Sequence, residues 1–161
     1  MKKILSFVMA LCLICTLLPV TGVTAAATEK TATLSFADKA QRTSFSTSKQ
    51  VWEQNGITLT NEKASSTSNV ADYSNPARFY KSSSIAVTAP GQITKIEFVA
   101  NSASYATALQ SSIGTVDGAT VTVNGSTVIV TFTTPVDSFV IASLSGGQVR
   151  MDSVTVTYVT E

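Results

Sequence analysis

The sequence predicts an all-β protein, an antiparallel two-sheet β-sandwich of eight or nine strands. Three observations carry that expectation. Thr and Ser, roughly three residues in ten beyond the first 27, alternate with Val, Ile and Phe at period two, the spacing of a strand with one buried face. Turn signals separate the alternating runs at short intervals, among them Asn124-Gly125, the strongest short-range hairpin signal. No stretch shows convincing helical periodicity; Ala100 to Ile113 is the one candidate, Ser-rich and weakly patterned.

Taken in order, the first strand is Thr31 to Phe36, with Ala32, Leu34 and Phe36 on one face. Gly56 precedes a short strand, Ile57 to Thr60. Arg78 to Lys81 and Ser84 to Ala89 follow, the latter ended by the turn dipeptide Pro90-Gly91. Ile93 to Val99 comes next. Ala119 to Val123 and Thr127 to Thr133 flank the Asn-Gly hairpin, and Asp137 to Leu144 and Gln148 to Val159 complete the set. An antiparallel sheet buries one face, so two sheets must pack together, and the strand count suits a jelly-roll-like arrangement. A nine-stranded immunoglobulin-type sandwich is the alternative, without its Cys…Trp…Cys arrangement.

The segment before this domain reads as an address. Lys2 and Lys3 precede an apolar run from Ile4 to Val20, then the small-residue stretch Thr21 to Ala27 with A-x-A spacing. That order defines a cleaved secretory signal over residues 1–27, cut near Ala25 to Ala27. The run is shorter than the ~20 residues of a spanning helix. Cys12 and Cys15 fall inside it, so the mature domain, residues 28–161, has neither thiol nor disulfide and is expected to be held by packing alone. Nothing resembling a sortase, cell-wall-repeat or dockerin tail follows Tyr158, which predicts a secreted, freely released or non-covalently held protein.

Charge and composition narrow the function. Without Lys2 and Lys3, eleven basic residues become nine against ten acidic ones, a net charge near −1, with no basic run. That is not a nucleic-acid footprint. The mature chain has no His and no Cys, which removes Ser-His-Asp and Cys-His triads and imidazole or thiolate zinc sites. Two-carboxylate hydrolysis stays formally open through Glu53, Glu62, Asp72 and Glu97. Glu97, however, alternates with Ile96 and Phe98 and should point into water. Asp38, Asp72, Asp117, Asp137 and Asp152 lie at turns or strand ends; no calcium-loop pattern links them, and Asp117-Gly118 reads as a turn. No cofactor is expected; a structural calcium is the alternative. The expectation is a non-enzyme.

Three polar stretches stand out as long loops: Ala37 to Gln50, Asn61 to Ala77 and Asn101 to Ser112. If they collect at one rim they form a site. The segment Asn69 to Lys81 concentrates two Tyr, two Asn and an Arg, the residue types that stack on sugar faces and hydrogen-bond their hydroxyls. Asn69, Tyr73, Asn75, Arg78, Tyr80 and Tyr105 are the candidate ligand-binding residues. Alternation puts Phe79 in the core and Arg78 with Tyr80 on the other face. The competing reading pairs Arg78 with an acid and packs Tyr80 at a sheet edge. Trp52, the sole tryptophan, is assigned to the core, since its area dominates packing in a small domain.

Met151-Asp152-Ser153-Val154-Thr155-Val156 resembles the closing strand of galactose-binding-like jelly-roll modules, and Thr33-Leu34-Ser35-Phe36 resembles their first strand. Asn55 to Leu59, Arg78 to Lys81 and Ala89 to Phe98 look like a carbohydrate-binding-module-like accessory domain of secreted bacterial proteins. The resemblance implies a jelly roll whose site lies on the loop rim or the concave sheet. The expected function is a secreted, non-catalytic binding module for a glycan or other surface polymer. The alternative is a structural or adhesive domain that meets another protein. Neither nucleic acid nor, after cleavage, membrane is an expected partner.

Overall fold

The computed structural model describes residues 27–161. The expected secretory signal lies outside the described residues, save for Ala27. Among the described residues no helix is long and apolar enough to cross a membrane.

The chain is all-β with one helix. Its strands are β1 (Thr28–Ser35), β2 (Arg42–Phe45), β3 (Lys49–Gln54), β4 (Ile57–Glu62), β5 (Ala77–Phe79), β6 (Ser84–Ala100), β7 (Ala119–Asn124), β8 (Thr127–Ile141) and β9 (Val149–Thr160), with α1 (Ala103–Ile113) between β6 and β7. All nine join one curled antiparallel sheet, in the order β1-β9-β6-β4-β3-β2; β5 adds to β9, and β8 and then β7 to the far side of β6.

Nine strands were expected at most, yet these are a different nine. Ser84–Ala89 and Ile93–Val99 are one strand, and so are Thr127–Thr133 and Asp137–Leu144, which ends earlier at Ile141. Pro90-Gly91 is therefore not a turn; it sits where the β6–β8 register breaks between Thr88 and Ile93. Proline withholds a ladder N–H, so it fits where pairing is interrupted. Pro135 lies in the matching stretch of β8. Gly91 is there for closeness of approach, since a Cβ on it would meet the Val159 carbonyl oxygen at 2.1 Å. The first expected loop instead contains β2 and the start of β3, and the third contains α1. Helix α1 forms despite its serines because Ser102 caps it, accepting from the Tyr105 N–H, and because Ala106 and Leu109 bury against the core. The Asn-Gly hairpin is present, its two-residue loop being Gly125-Ser126 with Gly125 at φ 59°.

Beyond the bend, β6 changes neighbours: residues 84–88 pair with β4, and 92–100 with β9. The curl brings β1 against β3 and β4, with which it shares no ladder. Phe36, at the end of β1, meets Trp52 edge-on at 5.0 Å and Phe79 at 5.6 Å. All three are fully buried, as the alternation required of Phe36 and Phe79 and as area favoured for Trp52. Each such side chain contributes about 1.5–3 kcal/mol by leaving water. A buried polar chain runs through this core. Trp52 Nε1 donates to Gln50 Oε1, Gln50 to Asn61 Oδ1, and Asn61 to the Ser83 hydroxyl and Ser84 carbonyl; the Ser83 hydroxyl donates to the Tyr80 carbonyl.

The outward face of β1-β9-β6-β8-β7 is built in rows. One row runs Thr31, Thr157, Lys95, Thr131, Thr120, and the next Thr33, Thr155, Glu97, Ile129, Thr122. At ~4.8 Å per strand the face is about 20 Å wide.

Two outcomes follow for stability. Gly91→Ala, whose new methyl meets backbone rather than a movable side chain, is expected to cost about 1–3 kcal/mol by overpacking, read from the urea midpoint. Asn61→Leu strands the Gln50 amide and Ser84 carbonyl, and should cost about 1–3 kcal/mol in the same titration. An unchanged midpoint in either variant would contradict the packing described.

Candidate functional site

Two of the three stretches read as loops meet an arginine pair at the junction of β5 and β9, and the first is tied to the second through Asp72. Arg78 stands directly opposite Arg150 in that antiparallel ladder. Their neighbours Ala77, Phe79, Val149 and Met151 are fully buried, so alternation turns both arginines to the face away from the core. Directly opposed residues have Cβ atoms about 4.5–5.5 Å apart, and like charges there repel.

Each guanidinium is covered by a tyrosine. The Arg78 guanidinium carbon lies 3.7 Å from the Tyr73 ring centre, and that of Arg150 lies 5.5 Å from the ring of Tyr105. Stacking of this kind uses the face of the planar cation and leaves its in-plane N–H groups free. Tyr73 is half exposed. Tyr105 comes from the first turn of α1, fixed by the Ser102 cap, and Asn101 holds the approach: its N–H donates to the Arg150 carbonyl and its side chain to Asp152.

The segment carrying Tyr73 is pinned from the other side. Asp72 takes a hydrogen bond and ion pair from Arg42 and a second ion pair from Lys39 at 3.4 Å. Arg42 is itself nearly buried, stacked between Phe45 at 4.5 Å and Trp52 at 5.5 Å. The Arg42 hydrogen bond, helped by the charges of Arg42 and Lys39, holds the Asp72 carboxyl below its ordinary value. The first, second and third stretches are thus linked in series through Arg42–Asp72, Tyr73–Arg78, the Arg78–Arg150 ladder and Arg150–Tyr105.

Of the six residues singled out by sequence, Tyr73, Arg78 and Tyr105 enter this cluster. Asn69 does not: it is exposed and accepts from Lys63 at 3.0 Å. Asn75, two residues beyond Tyr73, is exposed before the cis peptide to Pro76. Tyr80 is half-buried, just past the end of β5, and its ring joins neither arginine. The pairing of Arg78 with an acid is not found among the described residues; tyrosine takes that place. Arg150 and Arg42 escaped the sequence reading. The available signal for Arg150 was a charge between Val149 and Met151, an outward position on an alternating strand, but its partner across the ladder is invisible in one sequence.

The carboxylates weighed for hydrolysis are dispersed. Glu62 pairs with Lys49 at 3.0 Å, Glu97 with Lys95 at 3.3 Å, and Asp72 with Arg42. Glu97 faces away from the fully buried Ile96 and Phe98. Among the described residues no three carboxylates gather.

Compared with protein-family models, curated proteins and solved structures, the chain matches none.

Asp72 gives a pH signature with a definite sign. A carboxyl whose folded value is depressed adds stability that is complete above its unfolded value, near 3.8, and is lost as the pH falls through the folded one. Asp72→Asn should therefore unfold at lower temperature than the parent at pH 6, with the two converging below pH 3.8. A gap that stays constant across that range would contradict the pairing.

Proposed function

We propose that this chain is an exported, non-catalytic module that binds a glycan or other surface polymer on the surface around Tyr73, Arg78, Arg150 and Tyr105. The observation that carries the reading is the meeting of two otherwise separate stretches, through Tyr73 and Tyr105, on two ring-backed arginines. Sugars are held in water by flat aromatic faces against their C–H surfaces and by planar donors to their hydroxyls, and both are present within one cluster. Rings already stacked on a cation lose little conformational freedom when a ligand covers their outer face. The hydroxyl rows of the same sheet face offer further polar contacts along an extended chain.

We read the curled sheet as a jelly-roll-like two-layer sandwich. The bends in β6 and β8 support this, since each strand pairs in both halves, and so does the packing of β1 across β3 and β4. The signal-like segment ahead of the domain supports export, and with it a polymer encountered outside the cell.

A second reading has its own observation. Among the described residues β7 pairs only with β8, and its free edge is six residues long without charge or proline, the features that invite strand addition. A protein partner adding to β7 would make the chain an adhesive or structural domain.

A glycan array probed with the mature chain separates the two. The expected result is saturable binding to one polysaccharide class, weakened about tenfold by Tyr73→Ala and by Tyr105→Ala, the loss typical of a central contact. Binding that survives both substitutions, or a folded protein silent on the array but captured by a partner through β7, would favour the second reading.

A further inference from the structure

Among the described residues four cations have acidic partners within reach, while Lys30, Lys63 and Lys81 are in no ion pair. Arg42 and Lys39 share Asp72, Lys49 has Glu62, and Lys95 has Glu97. Arg78 and Arg150 differ from Lys30, Lys63 and Lys81 in standing directly opposed across a ladder, where like charges repel. Among the described residues neither side chain has an ion pair, and the Nε of each is buried with no hydrogen-bond partner. Asp152, two residues beyond Arg150, is engaged by Asn101. A buried donor left unmet carries a desolvation penalty, and two like charges add to it.

Resting on the glycan-binding reading, we propose that the polymer is acidic, and that a carboxylate or sulfate group of the polysaccharide seats between Arg78 and Arg150. A guanidinium presents two parallel N–H donors in a fork that matches carboxylate and sulfate oxygens, and one anion between two forks satisfies both while cancelling their repulsion. Tyr73 and Tyr105 lie over the two guanidinium groups, at 3.7 and 5.5 Å, and so restrict how the forks can turn. A neutral sugar hydroxyl answers single donors but leaves the charge pair intact. The domain carries a net charge near −1, so attraction of a polyanion has to come from this local pair rather than from the molecule as a whole.

The test is affinity electrophoresis and calorimetry of the mature chain with polygalacturonate, dextran sulfate, neutral dextran and a neutral β-glucan, and with polyglutamate as a non-sugar polyanion. The expected result is binding to polygalacturonate or dextran sulfate but not to their neutral counterparts. Arg78→Gln and Arg150→Gln should each weaken it at least tenfold, Arg78→Lys nearly as much since the charge stays and the fork goes, and Lys49→Gln hardly at all. Unfolding temperatures confirm that each variant folds. Tight binding to a neutral glycan, indifferent to both arginines, would overturn the acidic ligand and leave the glycan reading standing. Equal binding to polyglutamate would overturn the glycan reading, and a folded parent that ignores every probe would overturn both.

Discussion

Everything in this fold depends on two strands that are too long for one sheet layer. β6 and β8 each pass through a break in their common ladder, near Pro90-Gly91 in one and Pro135 in the other. The prolines withhold backbone donors where pairing would otherwise continue flat, and Gly91 lets β9 come within contact of the bend. The sheet then turns back on itself, and the apolar faces that alternation produced find each other. Without the bend, Phe36 would have no Trp52 or Phe79 to pack against. A domain with no disulfide among its described residues relies on this closure.

The same closure makes the site. β9 pairs with β6 only beyond the bend, and in its first residues it also receives β5, three residues long and bridged to little else. Such a short strand has no stability of its own. It is held by Phe79 in the core and, at its exit, by the buried hydrogen-bond chain from Trp52 through Gln50, Asn61 and Ser83 to the Tyr80 carbonyl. Polar groups buried at this density are costly unless all are answered, and here each link answers the next. The result is a rigid support on which Arg78 is set opposite Arg150.

The strand class, the outward face of Glu97 and the core placement of Trp52 and Phe79 were all legible, because each follows from period-two alternation or from side-chain area. What escaped was decided by the third dimension. Pro90-Gly91 looks like a turn because such dipeptides commonly form one; only the pairing of both flanking runs with β8 shows that the chain continues through a bend as one strand. Residues 103–113 looked like a loop because their serines favour non-helical backbone, a preference overridden by a cap and by two buried apolar positions. Tyr73, Arg78 and Tyr105 could be picked out by chemistry. Arg150, seventy-two positions from its partner in the sequence, could not, since nothing local distinguishes an outward arginine that faces water from one that faces another arginine.

The contrast between the sheet's outward face and its arginine end bears on how the protein works. Across the middle of β1, β9 and β6 two successive rows of the face hold four threonines and one Lys95–Glu97 pair. Such a surface interacts weakly and without preference. At its edge the chain concentrates two charges whose mutual repulsion and buried donors lower stability in the free protein, and it screens them only with rings. An arrangement of this kind is stabilised by whatever anion fills it, so binding energy and relief of repulsion act together.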